Sequence, residues 1–163
     1  MTPMRARSSL LVLLCALLAS CSALVDPVSG GFVGDWATER EALSPTGSHE
    51  NLLSLGADGR FVAESRMYGA YPGQPAGQLS ASSRTEGSYR AEDGRLHFQP
   101  ETLTTFDTFE GRAKTTVHRP YPYGGVYEGA EFDVDGDRLT LTYLTYPADA
   151  PVKTRRTFRR ALR

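Results

Sequence analysis

Three times along the chain an aspartate–glycine pair stands just before an alternating apolar run. Asp58-Gly59 precedes Phe61 and Ala63, Asp93-Gly94 precedes Leu96 and Phe98, and Asp135-Gly136 precedes Leu139, Leu141 and Tyr143. Such a pair accepts the positive φ of a tight hairpin turn, and strict alternation puts every second side chain on one face of a strand. The three sites share a turn chemistry rather than a repeated sequence, so they predict a chain of antiparallel hairpins and not a solenoid. An all-β meander is the expectation.

The third site invites a rival reading, because Asp133, Asp135 and Asp137 alternate as the early ligands of a calcium loop do. An EF-hand loop also needs Gly at its sixth position and a bidentate Glu at its twelfth. Counted from Asp133, those positions hold Arg138 and Leu144. A guanidinium at the turn and an apolar closing residue leave a cation uncaged. The stretch reads as a hairpin.

Strands are expected at Gly34–Glu41, Glu50–Leu55, Arg60–Tyr68, Ser82–Ala91, Leu96–Gln99, Leu103–Phe109, Lys114–Arg119, Tyr127–Asp133, Leu139–Tyr146 and Lys153–Leu162. No stretch has helical periodicity, and Gly or Pro punctuates almost every join. Many short, evenly spaced strands suggest a closed barrel or a sandwich. The expectation is an antiparallel up-and-down barrel of about eight to ten strands. Two connections are long and rich in Gly, Pro and Tyr: residues 68–82, with Tyr68 and Tyr71, and residues 118–129, with Tyr121, Tyr123 and Tyr127. Tyrosine offers an apolar face with a polar tip. With Tyr143 on a nearby strand, these six are the candidate ligand-binding residues at a barrel mouth. The alternative is that they fold back and cap the core.

Arg5 and Arg7 precede an apolar run, residues 10–18, too short to span a bilayer, which is the pattern of an export signal. It runs into Leu18-Ala19-Ser20-Cys21, which resembles the bacterial lipobox, where the cysteine receives diacylglycerol before cleavage. The resemblance implies a signal peptide over residues 1–20, a lipidated Cys21 with a short tether over residues 21–31, and a domain over residues 32–163. The other cysteine, Cys15, lies inside the removed leader, so the mature chain has no disulfide, no CxxC metal site and no cysteine nucleophile. Ser22 follows the cysteine, and the resemblance then implies the periplasmic face of the outer membrane in a diderm bacterium. In a monoderm it implies the outer face of the plasma membrane. The mature part has 16 basic side chains, the 18 of the chain less two arginines of the leader, against 19 acidic ones. Near-neutrality excludes the basic surface a nucleic-acid binder needs.

The domain opens with Phe32-Val33-Gly34-Asp35-Trp36. Phe32, Gly34 and Trp36 resemble the aromatic-x-Gly-x-Trp signature of lipocalins and lipocalin-like bacterial domains. The closing stretch, with Phe158, Arg159 and Arg160, resembles their last strand, where a basic residue packs across the tryptophan through a cation–π contact. If Phe158 points inward, period two selects Arg160 for that role. A second loop motif of true lipocalins, and their C-terminal helix, have no counterpart here, so the resemblance is to a lipocalin-like, or calycin-like, barrel. It implies a non-catalytic protein holding a small apolar or amphipathic ligand. A filled barrel acting as an envelope interaction or structural lipoprotein is the other reading.

No Gly-x-Ser-x-Gly elbow, His-Glu-x-x-His pair or phosphate-cradling loop occurs. His49, His97 and His118 fall singly on different expected strands, His97 facing solvent between Leu96 and Phe98. No enzyme, cofactor or metal is expected. Arg155, Arg156, Arg159 and Arg160 are expected to form one solvated basic strand face. The expected partners are the membrane, through the lipid, and a small hydrophobic ligand; no protein partner is indicated.

Overall fold

The computed structural model describes residues 31–109, 111–146 and 150–161. The expected signal peptide, Cys21 and residues 22–30 of the tether lie outside the described residues. Ten strands form: β1 Gly34–Ala37, β2 Glu41–Ala42, β3 Ser48–Leu55, β4 Arg60–Tyr68, β5 Leu79–Glu92, β6 Arg95–Asp107, β7 Lys114–His118, β8 Glu128–Asp135, β9 Arg138–Thr145 and β10 Val152–Arg160. Every pairing is antiparallel, and no helix occurs among the described residues. Eight strands close a ring in the order β1-β10-β9-β8-β6-β5-β4-β3 and back to β1, while β2 and β7 add to the outside of the path on β3 and β6. The expected up-and-down barrel is formed.

All three Asp-Gly turns lie at the same end. Asp93 and Gly94 both adopt left-handed φ between β5 and β6, which is what a two-residue type I′ turn requires. Gly136 alone is left-handed between Asp135 and Arg138. In the longer β3–β4 turn only Gly59 is left-handed, and the Asp58 carboxylate accepts a bond from the Arg60 amide at 3.0 Å.

That end is packed shut. Register and period two turn Leu53, Leu55, Phe61, Tyr89, Leu96, Leu139, Leu141 and Phe158 inward, and all are buried. Burying each large apolar side chain contributes about 1.5–3 kcal/mol before entropy is counted. Trp36 and Phe32 complete the cluster, the indole N–H donating to the Phe32 carbonyl at 2.7 Å. Phe32 in turn meets Phe132 edge-on at 4.8 Å.

Closure depends on very little backbone. β1 pairs with β10 only at Trp36–Arg160 and Ala37–Arg159, with one further bond from the Ala161 amide to the Asp35 carbonyl. Arg160 adds what the ladder lacks. Its guanidinium stands 4.3 Å from the indole centroid and donates to the carbonyls of Gly31 and Val33, at 2.6 and 3.2 Å. Gly34 makes the room. Its φ is +143°, and a Cβ there would stand 2.4 Å from an Arg160 nitrogen. The expected roles of Phe32, Gly34, Trp36 and Arg160 are therefore one device seen from four residues.

Three sequence expectations are corrected. The expected first strand, Gly34–Glu41, breaks after Ala37, where Thr38 bonds to Asn51 on β3 and the chain leaves β10. The two strands expected at Leu96–Gln99 and Leu103–Phe109 are one strand, β6. Pro100 sits inside it opposite Gly87, at the register shift after Glu86. A proline is tolerated there because a bulge spares it a ladder donor. Gly87 is needed for the close approach, since a Cβ would lie 2.1 Å from the Gln99 carbonyl oxygen. Finally, Arg155, Arg156, Arg159 and Arg160 do not share a face, because alternation on β10 sends Arg156 and Arg160 to the face of Phe158 and the other two outward.

Trp36→Ala is expected to cost about 3–5 kcal/mol through lost packing. Arg160→Ala should cost less, and the double mutant less than the sum, because both residues serve one contact. Urea unfolding of the three variants measures the coupling.

Candidate functional site

Away from the sealed end, the inward positions of the same strands change character. Beyond Leu53 comes Asn51, beyond Ala63 comes Ser65, beyond Gly87 come Thr85 and Ser83, and beyond Leu141 come Tyr143 and Thr145. Small hydroxyl-bearing side chains cannot fill the interior as leucines do, and a cavity of about 480 Å3 remains among them. Such a volume is within the range of small-molecule sites.

One wall is not a strand. β6 pairs with β8 near the sealed end, at Arg95 and Leu96, and with β7 towards the other end, from Leu103 to Asp107. The chain between β7 and β8, residues 119–127, passes through the gap and packs inward. Tyr127, held at φ +49°, meets Phe98 at 5.4 Å and Tyr143 at 4.9 Å, both edge-on. These rings join the packed core to the cavity. Tyr121 also lines it, next to Thr85.

The structure thus brings three of the six candidate tyrosines together: Tyr121, Tyr127 and Tyr143. Tyr123 contacts Tyr121 edge-on at 5.8 Å but is 71% exposed. Tyr68 lies on the outer face of β4, its hydroxyl donating to Glu50 at 2.5 Å and its ring covered by the Arg40 guanidinium at 4.0 Å. Tyr71 belongs to the other long connection, which folds onto the ends of β5 and β6. It donates to Asp107 at 2.7 Å and meets Phe109 at 5.2 Å, while Gln74 bonds Thr108 and Ser80. Neither Tyr68 nor Tyr71 lines the cavity. Their contacts are those of tyrosines fixing a surface.

Two cavity residues escaped the sequence reading. Arg156 enters from β10 and donates to the Asn51 amide oxygen on β3 at 3.2 Å, across the slit where β10 and β1 have parted. Its guanidinium carbon lies 6.0 Å from the Tyr143 ring centroid. The signal for Arg156 was present, since the period that selects Arg160 from Phe158 selects Arg156 as well. Nothing in the sequence marks Asn51.

Burial pushes the Tyr127 hydroxyl up to about 12, with the nearby Arg156 charge opposing part of the shift. Tyr143 and Tyr121 are raised for the same first reason. The phenols therefore stay neutral at ordinary pH.

His49, His97 and His118 stand apart on β3, β6 and β7, His97 half-buried rather than freely solvated. Among the described residues no group of three His, Cys, Asp or Glu side chains is placed to hold a metal. No helix among them is long and apolar enough to cross a membrane. No family model, curated protein or solved structure matches the chain.

A tyrosine held neutral in the fold stabilises it fully below the pKa of an unfolded tyrosine, about 10. That contribution is lost as pH rises towards 12. Stability should fall across this window, and Tyr127→Phe should make the fall shallower. Thermal melts across the alkaline range, with tyrosinate absorbance recorded alongside, check both.

Proposed function

We propose that this chain is a lipid-anchored, lipocalin-like envelope protein that binds a small amphipathic molecule in the unfilled half of its barrel. The observation that carries the reading is the contrast within one interior. One half is packed with leucines and aromatic rings, and the other leaves about 480 Å3 lined by Asn51, Ser65, Ser83, Thr85 and three tyrosines. A barrel that needed only to be stable would fill its second half as it fills its first. Polar groups around rings suit a ligand with both kinds of surface. The Phe32, Gly34, Trp36 and Arg160 device supports kinship with lipocalin-like barrels. The anchor rests on the leader and on Cys21. The protein acts by holding its ligand rather than by chemistry, and it needs no cofactor.

Intact-mass measurement of the protein extracted gently from its own membrane tests the anchor and the ligand together. The mature wild type is expected to carry the acyl mass and, under native conditions, a small-molecule adduct. Cys21→Ala should lose the acyl mass. Ser65→Phe, which fills the cavity, should keep the acyl mass and lose the adduct. Adduct retained in Ser65→Phe contradicts the assigned site. An adduct absent from the wild type would favour an interaction lipoprotein that holds no ligand.

A further inference from the structure

The guanidinium that lines the cavity, that of Arg156, forms no ion pair among the described residues. Of the described Arg and Lys side chains that form no ion pair, Arg112, Lys114, Arg119, Arg155 and Arg160 are exposed, and Arg156 is not. Its side-chain hydrogen bond goes to a neutral amide, Asn51, and the phenols beside it, Tyr127 and Tyr143, carry no charge at ordinary pH. Two carboxylates border the cavity. Glu64 is held by Arg66 at 2.7 Å, and Glu128 is exposed at the rim. Neither is within ion-pair distance of Arg156. A half-buried guanidinium whose partners are all neutral is costly unless a counter-charge joins it. Outside the barrel Lys153 and Arg159 of the same strand do have acidic partners, Glu131 at 3.4 Å and Glu39 at 3.2 Å. Inside, the described residues supply none.

We propose that the ligand supplies it: the cavity takes a compact molecule bearing a carboxylate, which pairs with the Arg156 guanidinium while its apolar part lies against the rings of Tyr127 and Tyr143. A guanidinium fork matches a carboxylate in two parallel hydrogen bonds, and Asn51 braces it from β3 so that little freedom is lost on binding. The packed Leu53 and Phe61 beyond limit the depth, so the apolar part is short. This inference rests on the ligand-binding reading above and sharpens it.

Calorimetry with pure protein, using phenylacetate, phenylbutyrate, hexanoate and decanoate against their primary amides, tests it near neutral pH. At least one acid should bind more tightly than its amide, by on the order of tenfold to a hundredfold, the worth of a charge-assisted pair. Arg156→Gln should erase that preference and leave the amide's affinity within about twofold. Arg156→Lys should retain part of it, and Arg155→Gln, on the outer face of the same strand, should retain all of it. Tryptophan emission like that of the wild type shows that each variant is folded. Amides binding as well as acids, or a preference that survives Arg156→Gln, overturns the anion assignment and leaves the cavity reading standing. Failure of every probe to bind, together with no adduct on the extracted protein, overturns both.

Discussion

The guanidinium of Arg160 lying over the indole of Trp36 joins the two ends of the barrel wall. β1 has four residues and shares only two register positions with β10, so the backbone ladder alone closes the ring weakly. A cation over an indole face, where the cation itself stays exposed as Arg160 does, contributes about 0.5–1 kcal/mol. Arg160 adds two bonds to carbonyls in the entering chain, and the indole N–H adds a third from the other side. Most of the energy comes from what this arrangement makes possible, the burial of Trp36 and Phe32 against strands from all around the ring. The glycine between them is the condition for it, since any side chain at position 34 would occupy the path of Arg160.

With one end closed by side chains and tight turns, the other is free to carry the long connections. The two behave differently. Residues 69–78 are fastened down by Tyr71, Gln74 and Ser80 and contribute nothing to the cavity. Residues 119–127 enter the wall between β6 and β8 and bring Tyr121 and Tyr127 to the interior. The second connection can do this because β6 changes partner midway, between Leu96 and Leu103, the stretch that holds the register shift at Pro100 and Gly87.

The barrel was legible because its signals are local: Asp-Gly at three of the turns, period two on either side, and the spacing of Phe32, Gly34 and Trp36. The strand break after Ala37 and the continuity of β6 through Pro100 were not, since each depends on which strand lies alongside. The candidate site was half legible. Composition found the tyrosines, but two loops of similar composition have opposite fates, decided by hydrogen-bond partners such as Asp107 and Glu50 that no spacing reveals. Arg156 was hidden by its neighbours. Four arginines in six residues look like a surface run, and only strict alternation from Phe158 separates the two that turn inward. The expected leader and the role of Cys21 rest on the sequence alone and lie outside the described residues.

A barrel sealed at one end by Trp36 and open at the other makes a definite demand on the single tryptophan of the chain. Steady-state fluorescence of the folded protein reports on that one place. Emission at short wavelength, barely quenched by iodide and unmoved when a carboxylate probe fills the cavity, is the predicted result, because Trp36 is about 1% exposed and its partner Arg160 stands four residues along β10 from Arg156, on the sealed side. Red-shifted emission that iodide quenches readily, or that shifts when the probe binds, would contradict the seal and with it the division of the barrel into a closed half and a binding half.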